Sequence, residues 1–173
     1  MGTVQSSATD VVNAILGVDD DSRIVQLRNQ KPELADQLQA YYDAIFAPTA
    51  ASAAELALTD RYLIAIRVAA HTGSEAVMQW YAAKALGEGV SSASIERAGN
   101  VSSPWSEQTP LAAAIRHADL VTVSPSQTSE ENLQQLKHAG LSPAGILSLA
   151  QVIAFVSYQL RLIAGLRAFG DRR

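Results

Sequence analysis

Residues 59–87, TDRYLIAIRVAAHTGSEAVMQWYAAKALG, limit the fold more than any other stretch of the chain. They read as two helices broken at Thr72-Gly73. The first, Tyr62 to Ala70, is apolar at every position except Arg67, so it is expected to be buried nearly all round. A helix of that kind needs other helices or a sheet on every side, which makes it the centre of the domain. The second helix restarts with Thr72 and Glu75 three residues apart, the spacing of a capping box. Ser74 then falls in the first turn, where free amides and the positive end of the helix dipole favour an anion.

The remaining chain supplies the partners for that centre, and all of them read as helical. Thr9 or Asp10 can cap a short helix through Leu16 that Gly17 ends, behind a polar, disordered Met1–Ala8. Asp19-Asp20-Asp21-Ser22 reads as an acidic helix start for Ser22–Asn29, because the ligand spacing and closing Glu of a calcium loop are missing. Pro32 suits the first position of a helix through Phe46, with Leu34, Leu38, Tyr41, Tyr42, Ile45 and Phe46 at helical spacing. Pro48 ends it, Ala50–Ala54 is a connector of small residues, and Thr59 is expected to cap the central helix. After Gly87-Glu88-Gly89 come a short helix, Ser92 to Ala98, and a loop, Gly99 to Gln108. Its Trp105 is expected to plug a core or an interface. Pro110 starts a helix to Val123, Thr128 and Glu131 form a second predicted capping box for Ser129–His138, and Ser142-Pro143 opens the longest helix, to Phe169. No segment alternates like a strand, so the fold class is all-α, with about eight helices.

Length and composition limit what such a bundle does. The 173 residues fit one domain burying about 70% of its unfolded surface. Hydrophobic residues make up 48% and charged residues only 17%, so some surface is expected to be covered by a second subunit. A net charge of −4 with scattered Lys and Arg makes nucleic acid an unsuitable partner. The absence of cysteine excludes disulfides, thiolate metal sites and dithiol chemistry within the chain. Three histidines without ligand spacing give no metal site, and no cofactor motif is present. The start has no signal-peptide pattern, and the uncharged run Ala139–Leu160 is interrupted by Pro143, Gly145, Ser148 and Gln151. A buried helix, no membrane span and a cytoplasmic location are therefore expected.

The central stretch also resembles the alkylhydroperoxidase D-like, or carboxymuconolactone decarboxylase, family. Redox-active members carry a Glu, an eleven-residue spacer and Cys-x-x-Cys-x-x-x-His after a similar apolar helix and small turn. Those positions fall here on Tyr62 (Glu), Ser74 and Val77 (Cys) and Tyr81 (His), and all four are replaced. Pro110–Gly170 is similar to the second half of peroxidase-related members, including Tyr158 and Arg161 as an aromatic-x-x-Arg feature. The opening from Val11 to Pro48 is similar to an N-terminal extension of one subgroup. The resemblance implies a helical bundle with an internal two-fold repeat, of which LTDRYLIAI (58–66) and LSPAGILSL (141–149) are a faint echo. On that basis the chain divides into an extension (1–50), a core helix pair (54–98) and a second half (109–170) of a single domain.

The candidate site follows from the same stretch. Ser74, Val77 and Tyr81 share one helix face, bordered by Met78. Val77 donates nothing, Ser74 needs a base to be nucleophilic, and Tyr81 with an ordinary pKa near 10 is a hydrogen-bond donor. With Tyr62 and Glu75 they define a candidate ligand pocket. Arg67 and His71 share a face, and the guanidinium needs a carboxylate, for which Glu75 and Asp119 are candidates. One reading makes this a structural brace. The other makes His71 a base and Arg67 an anion clamp under Tyr81. His117 and His138 read as surface or helix-end residues. Three functions are thus open: a small-ligand-binding or paralogue-supporting protein without redox chemistry, a decarboxylase- or isomerase-like enzyme using His71, Arg67 and Tyr81, and a peroxidase-related protein by family label alone.

Overall fold

The computed structural model describes residues 10–170, and among them the chain is all-helical, with no strand. The disorder expected at Met1–Ala8 and the alternative cap at Thr9 lie outside the described residues. The helices are α1 (Val11–Leu16), α2 (Arg23–Arg28), α3 (Pro32–Phe46), α4 (Ala50–Glu55), α5 (Leu58–His71), α6 (Glu75–Gly87), α7 (Ser92–Gly99), α8 (Pro110–Val123), α9 (Glu130–His138) and α10 (Pro143–Gly170), with a single 3-10 turn at Pro125–Gln127.

Ten helices are present among the described residues: the nine stretches read as helical from the sequence, and the small-residue connector, which is itself α4. Thr49 accepts from the Ser52 amide at its start, and alanine has the best intrinsic helix propensity. At its far end a side chain from α5 takes over the free carbonyls. Gly145 of α10 lies directly against that end: a Cβ there would come within 2.7 Å of the Glu55 carbonyl oxygen. Only glycine allows this crossing.

Helix α5 runs through the middle and packs against α3, α6, α7, α8 and α10. Every residue from Arg61 to Ala69 is buried, two arginines among them; burial was expected for Tyr62–Ala70, and it holds except at half-buried Ala70. Helix α10 is about 42 Å long at 1.5 Å per residue and packs against α1, α2, α3, α4, α5, α8 and α9. It is long and apolar enough to cross a membrane, and half of that apolar stretch is buried against the other helices. One hydrophobic core runs from Val11 on α1 to Leu166 on α10. Trp105 belongs to it, 7% exposed, with the Arg97 guanidinium 4.1 Å above its ring.

Several predicted caps are placed differently. Thr72 keeps a helical backbone (φ −97°, ψ −3°) and ends α5, so its hydroxyl donates back to the Ala69 carbonyl at 2.9 Å. An N-cap acceptor needs an extended backbone, which rules out the Thr72–Glu75 capping box. Glu75 instead accepts from the Gln79 side chain at 2.7 Å. The chain reverses at Gly73, whose φ of +67° suits a residue without a Cβ. Thr59 lies inside α5, which starts behind Ala57 with no side-chain cap. The box at α9 pairs Ser129 with Asn132 rather than Thr128 with Glu131, because Thr128 precedes the cap position. At α10, Ser142 accepts from the Gly145 amide. The capped opening that residues 58–66 were expected to share with 141–149 therefore exists only in the second segment.

Candidate functional site

The two arginines of α5 satisfy their buried charge in different ways. Arg61, 2% exposed, forms no ion pair with a carboxylate among the described residues. Its Nε donates to the Leu56 carbonyl (2.9 Å), Nη1 to the Ile45 carbonyl (2.8 Å), and Nη2 to the Ser52 carbonyl and hydroxyl (2.6 and 2.8 Å). One guanidinium thus closes the ends of α3 and α4, whose last carbonyls have no helical partner. Burial lowers its pKa, against a smaller opposing pull from Glu55.

Arg67, 3% exposed, forms a two-pronged pair with Asp119 of α8: Nε to Oδ1 at 2.6 Å and Nη2 to Oδ2 at 2.9 Å. Its other bonds go to the carbonyls of Asn100 (2.5 Å) and Val101 (3.0 Å). His71 joins through Nε2, 2.6 Å from Asp119 Oδ1. Asp119, not Glu75, is therefore the partner, and the sequence spacing rightly puts Arg67 and His71 on one face. With its guanidinium committed to Asp119 and two carbonyls, Arg67 acts as a brace between α5, α8 and the loop after α7. The anion-clamp role is a poor fit to this geometry. His71, held at Nε2 and 16% exposed, keeps Nδ1 as the nitrogen for any proton transfer.

Tyr81 lies apart from this cluster. It is fully buried, its ring 5.0 Å from Phe46 and 6.4 Å from Tyr62, and its hydroxyl donates to Gln159 Oε1 at 2.8 Å. Burial raises its pKa well above 10, with Tyr42 adding to the rise and the Gln159 bond opposing it. Tyr62 stacks on Phe46 at 5.2 Å, and burial pushes its hydroxyl up to about 12. Val77 is fully buried. Val77 and Tyr81 are therefore part of the core, with Tyr81 in its aromatic cluster. Met78 points elsewhere, into an apolar cleft of about 350 Å³ between α6 and α7.

Ser74 has a different setting from the residues that follow it. It is the N-cap of α6 but makes no capping bond. It borders a cavity of about 590 Å³ between the α5–α6 turn, the end of α8 and the second half of α10. Val121, Leu160, Ile163 and Ala164 supply apolar wall, while Arg161 and Arg167 bring two guanidiniums. Thr122 also lines it, and its Oγ1 is buried with no partner among the described residues. Of the eight predicted site residues only Ser74 lines this cavity; Arg67 and His71 form the adjoining cluster, and Glu75 is exposed. Sequence reading missed Arg61, Gln159 and Arg167. A lone Arg or Gln in an apolar helix is the available signal, but it does not say whether the group will be buried.

No protein-family model matches the chain, and a search of curated proteins finds no match.

Proposed function

We propose that this chain is a cysteine-free member of the alkylhydroperoxidase D-like family that binds a small molecule at the α5–α6 turn. The observation that carries the reading is the cavity of about 590 Å³ beside Ser74, at the helix terminus where redox-active members hold their first thiol. Its size suits a small organic ligand. Its setting suits binding rather than redox chemistry, because the chain has no sulfur nucleophile. A cytoplasmic homo-oligomer, alone or beside an active paralogue, accompanies this reading. Leu34, Leu147 and Tyr158, each more than half exposed, offer apolar surface for assembly.

Native mass spectrometry of the gently purified protein tests it. A bound small molecule that is lost on Ala164→Trp, which fills the cavity wall, is the expected result. A ligand retained by that variant places binding elsewhere and overturns the proposal.

A second reading is favoured by one contact. The His71–Asp119 pair orients an imidazole the way a general base is oriented, with Nε2–H on the carboxylate and Nδ1 left to accept a proton. That reading makes the chain a proton-transfer catalyst. Deuterium wash-in from D2O into 2-oxo acids and lactones, read by NMR and lost in His71→Gln, supports it. No exchange above buffer across such a panel sinks it.

A further inference from the structure

We infer that the ligand of the Ser74 cavity is an amphipathic organic anion: one carboxylate-type head on an apolar body. This rests on the reading of that cavity as a binding site and adds the class of molecule it takes. The charges around it are one-sided. Arg161 and Arg167 line it, and no Asp or Glu does. Two acids on the adjoining helices are already occupied. Asp119 is held by Arg67 and His71, and Glu75 accepts from Gln79.

The arginines have capacity to spare. Arg161 donates Nη1 to the Ser157 carbonyl at 2.8 Å, which leaves further N–H groups. Arg167 has no hydrogen-bond or ion-pair partner among the described residues. Six apart on α10, both border the same cavity, so an anion in it is drawn to either or both. The same face of α10 carries Leu160, Ile163 and Ala164, opposite Val121, so an apolar body lies along the wall next to the head. Thr122 Oγ1, buried without a partner, adds a hydroxyl that either donates or accepts. A neutral apolar ligand leaves the two guanidiniums unmatched, and a cation meets repulsion from both.

The test compares octanoate with 1-octanol, which share chain length and differ in the charge of the head. Binding is followed by amide shifts in two-dimensional NMR of the full chain. Octanoate is expected to shift Ser74, Thr122 and Ala164 and to bind about tenfold more tightly than 1-octanol, given two exposed ion pairs. Arg161→Met and Arg167→Met should each weaken octanoate about threefold, and together about tenfold, while leaving 1-octanol unchanged. The octanoate advantage should also shrink as salt rises. Equal binding of both probes, untouched by either arginine variant, overturns the anion inference and leaves the cavity reading intact. No shift around Ser74 with either probe, or binding undiminished in Ala164→Trp, overturns both.

Discussion

The two ends of α5 bury an arginine each, and they differ in what surrounds it. At the amino-terminal end Arg61 is ion-paired with no acid among the described residues: three carbonyls and one hydroxyl solvate it inside the core, and its bonds tie down the ends of α3 and α4. Next to it, Phe46, Tyr62 and Tyr81 pack ring on ring. At the carboxyl-terminal end Arg67 meets a carboxylate that is 27% exposed, and the helix runs out into a cavity. The first end is closed and serves architecture. The second remains in reach of water and borders the cavity. An isolated charge tolerates full burial when carbonyls point at it from several elements, which requires those elements to be in place.

Arg61→Met should do the most damage. It strips the buried Ile45 and Leu56 carbonyls of the Arg61 donors and leaves the Ser52 carbonyl only its long bond from the Leu56 amide at 3.4 Å, a loss of about 4 kcal/mol by denaturant unfolding. A loss under about 1 kcal/mol would erase the distinction between the ends. Arg61→Lys should recover little, because a single ammonium cannot reach three carbonyls on two helix ends as a planar fork does.

Arg67→Met should cost less, about 3 kcal/mol, since partly exposed Asp119 regains water when its partner goes. Combined with Asp119→Leu, the loss should fall clearly below the sum of the single variants. Simple additivity in that cycle would mean that the pair does not brace the helices.

Tyr81→Phe sharpens the closed end. It strips Gln159 of the bond to Oε1, and Nε2 already lacks a partner among the described residues, so about 1–2 kcal/mol should be lost. Tyr81→Phe with Gln159→Leu removes both polar groups and should restore most of that. The raised phenol pKa of Tyr62 adds an alkaline signature. The folded state keeps its proton to about pH 12, whereas an unfolded tyrosine loses it near 10. Its contribution is therefore full below pH 10 and is lost as pH rises from 10 through 12.

The smallest effect belongs to His117 on α8. Burial lowers its pKa, and its Nδ1 has no partner among the described residues. The folded chain favours the neutral ring, so this contribution is complete above pH 6.5 and declines as pH falls below it. His117→Gln should flatten the melting curve between pH 7 and 5 by less than about 1 kcal/mol. A variant with an unchanged acid limb would assign that limb to other groups.

Much of this architecture was legible from local rules. Pro32, Pro110 and Pro143 each occupy the first helical position, as proline's fixed φ and missing N–H favour. The apolar run from Tyr62 announced a helix buried on all sides, and Asp10 and Gly17 delimit α1 as expected. The placement of Arg67 and His71 on one face also followed from spacing alone. The misplaced caps have a common cause. Thr72, Thr59 and Thr128 each have suitable chemistry, but the cap is decided by which residue leaves the helical backbone, and that depends on where neighbouring helices end.

The sequence by itself determined the class of fold, because helical periodicity, proline placement and missing strand alternation are local properties that survive any arrangement in space. It also determined that no thiol chemistry is available. Only the tertiary structure decided which side chains become chemistry and which become core. Asp119 meets Arg67 across 52 positions of sequence, and Gln159 meets Tyr81 across 78. The cavity beside Ser74 belongs to three elements at once, so no single stretch of residues encodes it. Burial, charge pairing and cavity shape are sums over elements distant in the chain, and they exist only once those elements are packed.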